Sequence, residues 1–122
     1  MATMFGKLIA LLLLSRDTAH RQHWNTVSFS QHKTLNEFYD SILELTDSLM
    51  EKYQGRNGRI EVPTLEEKDT YSKDPITVLK KHLDWIEKAR YDVVPKEDTP
   101  IQNIIDEIVG QYLETLYLLT LE

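Results

Sequence analysis

Residues 55–74 read GRNGRIEVPTLEEKDTYSKD, and this stretch decides the fold. It is rich in turn formers and carries no stable hydrophobic period, yet it separates two clear helical patterns. Before it, Leu35, Phe38, Ile42, Leu45 and Leu49 step by three, four, three and four, one apolar stripe of a helix. That helix opens near Phe29 or Ser30 and is expected to close at Gly55, whose position suits a C-cap. After it, Asp74 and Pro75 read as an N-cap followed by proline at the first helical position. Val78, Leu79, Leu83, Trp85 and Ile86 carry this next helix to about Tyr91. A link this long lets the two helices run parallel, so the spacing predicts a bundle with one crossover. Plain up-down-up-down order is the alternative, and the length of the link favours the crossover.

The two outer segments complete the count. The first runs from about Ala2 to Trp24, with Gly6 as its weak point. Stepped at 100° per residue, its apolar residues between Phe5 and Leu14 go all the way round, and a helix apolar on every side is buried on every side. A subunit interface is the simplest second cover in a chain of 122 residues. Val94-Pro95 breaks the chain, and a fourth helix begins near Thr99-Pro100 and continues through Ile104, Ile105, Ile108, Tyr112, Leu116 and Leu119. No strand pattern competes and no internal repeat is visible. The expectation is one all-α domain over residues 1–122, a four-helix bundle.

Composition narrows the function classes. With 41% apolar and 28% charged residues the chain is neither disordered nor membrane-embedded in character. It has no cysteine, which excludes disulfides, cysteine-based zinc sites and thiol catalysis. Its net charge of −6 disfavours a polyanionic partner. Leu8–Leu14 (LIALLLL) follows a single Lys7, but it is short for a secretory core and Ser15-Arg16-Asp17 offers no cleavage pattern. It is also too short to span a bilayer. A cytoplasmic protein with no membrane partner is expected.

The residues able to ligate a metal are clustered. His20 and His23 share a face at the end of the first helix, and His32 lies just past a short turn. Asp47 and Glu51 share a face near the far end of the second helix. Imidazole with carboxylate is a ligand set for iron, manganese or zinc. On one helix, however, His32 and Asp47 are about 22 Å apart at 1.5 Å per residue, so they cannot hold the same ion within one chain. Asp47 and Glu51 also point roughly 180° from the Leu35–Leu49 stripe. Either they form a solvated acidic face, or a second copy packs antiparallel through a two-fold axis and brings each histidine end to the other's carboxylate end. Tyr39, Leu43 and Met50 flank the acidic strip and would supply the apolar part of that contact.

The run His20-Arg-Gln-His23-Trp24, then Phe29-x-x-His32, then Glu37-Phe38-Tyr39-Asp40, then Asp47-Ser-Leu-Met-Glu51-Lys52 resembles the Dps-like branch of the ferritin-like superfamily. That family shows His-x-x-His-Trp, a Phe-x-x-Leu-His turn, a tyrosine in the second helix and Asp-x-x-x-Glu-Arg. The likeness is good over residues 20–52, while the last two helices match only in length and character. It implies a ferritin-like four-helix bundle with a ferroxidase centre between two-fold-related subunits. The ligands would be His23 and His32 of one chain and Asp47 and Glu51 of the other. It further implies iron (Fe2+/Fe3+), with zinc or manganese as substitutes, and a homo-oligomer, a dimer at least and a hollow dodecamer in the full family pattern.

Several positions depart from that pattern. The interval from His23 to His32 is shorter than the family's and lacks its turn glycine, and Asn36 stands where an acidic residue is frequent. Short chains of this kind are similar to Dps-like proteins encoded by bacteriophages. The resemblance puts Trp24 beside the iron, where it could absorb oxidising equivalents, although packing is its plainer role. His20 reads as an outer ligand or a partner of His23, and His82, between Lys81 and Asp84, as a surface histidine. Gly55–Gly58 has no preceding strand and no Lys-Ser/Thr, so it is no phosphate loop. Family members that bind DNA use Lys-rich tails, and here the helix begins almost at Met1, so no DNA binding is expected. The function expected is Fe(II) oxidation by peroxide or oxygen with iron storage. The alternative is a non-enzymatic helical interaction protein with a degenerate metal site.

Overall fold

In the computed structural model, residues 3–68 and 73–121 are described. The expected helix start at Ala2, residues 69–72 of the link and the final Glu122 lie outside them. Four helices account for most of the chain: α1 Met4–Asn25, α2 Phe29–Asn57, α3 Pro75–Val93 and α4 Thr99–Leu118. No strand occurs among the described residues.

Each helix begins where its local chemistry directs. Thr3 caps α1 by accepting from the Gly6 N–H at 2.9 Å, and Ser28 caps α2 by accepting from Gln31 at 3.2 Å. Proline opens α3 and α4 at a position where its missing N–H costs nothing. The end of α2 differs from the sequence expectation. The helix runs through Gly55 and stops at Gly58, whose φ of 87° is the left-handed conformation that glycine adopts freely. Gly55 is merely a helical residue, because the chain needs its reversal one turn later. There the Gln54 side-chain oxygen accepts from the Ile60 N–H at 3.1 Å.

Side-chain pairs give the helix directions. Phe5 stacks on Tyr53, and His23 on His32 at the other end, so α1 and α2 are antiparallel. Gln22 donates to the Lys73 carbonyl and Ser15 meets His82, so α3 starts beside the end of α1 and runs against it. Phe38 packs edge-on to Tyr112, and Arg56 pairs with Asp98 at 2.9 Å, which sets α4 against α2. Arg90 bonds the Gln102 carbonyl at 3.0 Å and Asp106 at 2.6 Å, closing the α3–α4 hairpin. The chain therefore returns along the bundle between α2 and α3, as the crossover reading expects.

The core holds Leu8, Leu12, Leu35, Phe38, Ile42, Leu49, Ile86, Ile105 and Tyr112, all fully buried. Of the residues expected inside α3, only Trp85 stays half-buried. The outer side of α1 is covered differently from the expectation. Ile60 and Val62 of the crossover pack on the core, and a Cβ placed on Gly6 would lie 2.7 Å from the Glu61 carbonyl oxygen. The crossover supplies much of the second cover for α1, so this helix does not by itself require a subunit contact. Leu13 remains exposed. Gly6→Ala should therefore destabilise the protein by about 1–3 kcal/mol despite alanine's better helix propensity, because a backbone oxygen has to move. Thermal denaturation measures this, and a variant more stable than wild type would contradict the close approach.

Candidate metal centre

At the α1–α2 turn the two histidines are locked to each other's main chain. The Nδ1 of His23 is 2.8 Å from the His32 carbonyl oxygen, and the Nδ1 of His32 is 2.7 Å from the His23 carbonyl oxygen. A carbonyl oxygen can only accept, so both Nδ1 atoms carry the hydrogen and donate. In a ring carrying a single hydrogen this leaves the lone pair on Nε2, the arrangement that second hydrogen bonds impose on metal-ligating histidines. The rings stack with centroids 3.6 Å apart. His23 is 8% exposed, while His32 is half-buried. A shallow depression lined by Thr26, Val27, Ser28 and Phe29 reaches His32 from solvent.

Around this pair sits a wall of rings. His20 lies against Tyr39 at 4.1 Å and Trp24 at 4.4 Å between centroids, and Tyr39 meets His23 edge-on at 5.4 Å. The Tyr39 hydroxyl donates to the Asn36 side-chain oxygen. Burial and then the neighbouring Asp40 push the Tyr39 phenol above its usual range, which keeps that donor protonated. Burial, Arg16 and His23 push His20 down, leaving it a neutral partner for the rings it touches. Tyr39 is only 8% exposed, so it belongs to the α1–α2 seam and is not free to line a subunit contact. Leu43 is exposed and Met50 half-buried, and both remain available for one.

Asp47 and Glu51 are exposed on α2, on the side turned from the core as their spacing indicates. They lie along the helix from His32, not beside it. Among the described residues no group of three or more His, Asp or Glu converges within one chain to hold a metal. His82 corrects the sequence reading outright. It is 2% exposed, in the bundle interior, with Nδ1 2.5 Å from the Ser15 hydroxyl. Its position four after Val78 and four before Ile86, both core residues, was the signal.

The class these features define is an all-helical protein with an imidazole cluster at one end of an antiparallel helix pair. No helix is long and apolar enough to cross a membrane among the described residues. The chain belongs to a family of unknown function, DUF5856, whose model matches residues 23–119. It is 28% identical over 114 residues to an uncharacterized 14.6 kDa protein from the mobD-ri intergenic region of Enterobacteria phage T4, covering 93% of this chain and 86% of that one. No solved structure matches the chain.

Because both carboxylates are solvated, Asp47→Ala with Glu51→Ala should change folding stability by no more than about 0.5 kcal/mol per site. Urea denaturation tests this. A large loss would place the carboxylates in the fold's own machinery.

Proposed function

We propose that this chain is a Dps-like protein of the ferritin-like type, binding Fe(II), oxidising it with peroxide or oxygen and storing the ferric product. The observation that carries the reading is the reciprocal His23–His32 lock, which fixes both tautomers with Nε2 left for a ligand. The crossover between α2 and α3, which is the helix order of ferritin-like bundles, supports it. So does the outward face of α2. With His32 opposite the partner's Asp47 in an antiparallel α2 pair, Asn36 falls opposite the partner's Leu43, and Phe29 opposite the partner's Met50. Glu51 lies one turn beyond Asp47, on the same exposed side. A single register thus joins the ligands and the apolar residues of that face, in a two-fold dimer that the Dps-like pattern would extend to a dodecamer.

In this arrangement His23 and His32 favour a transition metal over magnesium, while Asp47 and Glu51 balance its charge. Iron is the substrate; zinc or manganese would fit the same donors. Two Fe(II) ions each give one electron to hydrogen peroxide, which takes up two protons and leaves as two waters.

Wild type is expected to oxidise stoichiometric Fe(II) well above the rate in buffer, and Asp47→Ala with Glu51→Ala to return it to that rate. Light scattering should give a mass of two or twelve subunits. A pure monomer would sink the intersubunit site. If wild type matches buffer, the non-enzymatic interaction reading replaces this one; Trp24 and Phe29, 61% and 77% exposed at the turn, would then be its contact.

Nucleic acid is not expected among the partners, because a subunit of charge −6 repels DNA and assembly multiplies the repulsion. Gel shift with duplex DNA at physiological salt checks this. A salt-sensitive shift near neutral pH would overturn it.

A further inference from the structure

His82 lies between three helices, and its hydrogen bonds suit only one charge state. The Tyr112 hydroxyl donates to the Ser15 hydroxyl oxygen at 2.6 Å, and the Ser15 oxygen lies 2.5 Å from His82 Nδ1, a contact that either neutral tautomer of the ring can make. Whichever ring nitrogen carries the hydrogen, Nε2 is buried without a partner among the described residues. One turn along α1, the Thr18 hydroxyl is also buried and unpartnered. A second proton would put hydrogen on both ring nitrogens and leave a buried Nε2–H with nothing to accept it.

The groups facing His82 do not offset that charge. From α1 it meets Ser15 and from α4 Tyr112, whose phenol burial pushes up and keeps protonated. From α3 itself Lys81 repels a proton. From the crossover Glu67 attracts one, but its carboxylate is already held by Lys73 at 2.6 Å and Lys81 at 3.6 Å. Burial dominates and lowers His82 from 6.5 to about 4.

The seam around it carries buried polar side chains. Ser15 and Gln22 of α1 meet His82 and the Lys73 carbonyl, and Thr18 is buried between them in the sequence, whereas α2 packs mainly with Leu35, Phe38, Ile42 and Leu49. We propose that His82 is an acid-sensitive latch: on acidification the open chain takes a proton that the closed α1–α3 seam excludes, and α3 with residues 58–68 lifts from α1 while α1 and α2 stay paired.

The sign follows from linkage. The neutral ring is favoured when closed, so stability is complete above pH 6.5 and is lost as pH falls from 6.5 towards 4. Between pH 7.5 and pH 5 the opening constant should rise by about thirtyfold. Hydrogen exchange on the full chain, corrected for the intrinsic pH dependence, should show that acceleration in α3 and residues 58–68, with little change in α2. Uniform acceleration of all four helices, or none, overturns the latch. His82→Gln keeps an acceptor for Ser15 and cannot titrate, so it should abolish the difference. Should that variant not fold, NMR titration of wild type still decides: the His82 ring stays neutral from pH 7.5 to 5, and titration near 6.5 would overturn the proposal.

Discussion

The return of the chain along the full bundle is the constraint on which the other features depend. α1 has 22 residues, about 33 Å at 1.5 Å per residue, and about ten extended residues cover that distance. The segment between Asn57 and Pro75 is long enough to do so with slack. Once it does, all neighbouring helices are antiparallel, and α3 lands beside α1 instead of α2. That placement creates the Ser15–His82 contact and leaves the outer side of α2 bare. A short α2–α3 turn would have produced neither.

Periodicity made much of this legible. The Leu35–Leu49 stripe, the Asp74-Pro75 start and the break at Val94-Pro95 all appear where spacing puts them. What spacing could not show was which element covers a face. Between Phe5 and Leu14 α1 is apolar on all sides, and a second subunit and a crossover hide such a stretch equally well. The crossover has no period to betray its contacts, so Ile60, Val62 and the close approach at Gly6 became visible only in three dimensions. The cap at Gly58 shows the same limit, because either glycine satisfies the local rule. His82 was misread for another reason: Lys81 and Asp84 made the neighbourhood look exposed, although Val78 and Ile86 already placed position 82 on the core side.

For the site, the chain order gave the separation of His32 from Asp47 and the outward direction of the carboxylates, and both hold in three dimensions. The reciprocal bonding of His23 and His32 could not be read, since it depends on how the three-residue turn aims two carbonyl groups. Nor could the sequence indicate that Tyr39 would be drawn under His20. In each case the missing information was main-chain direction at a turn.

α2 thus carries two independent inscriptions. Its inner face specifies the bundle, and its outer face, with Asp47 and Glu51 in solvent, contributes almost nothing to holding the chain folded. Selection can rewrite one without disturbing the other. Descendants of a common ancestor can keep this architecture while their outer side chains drift, so shared shape within the family is a poor guide to shared chemistry.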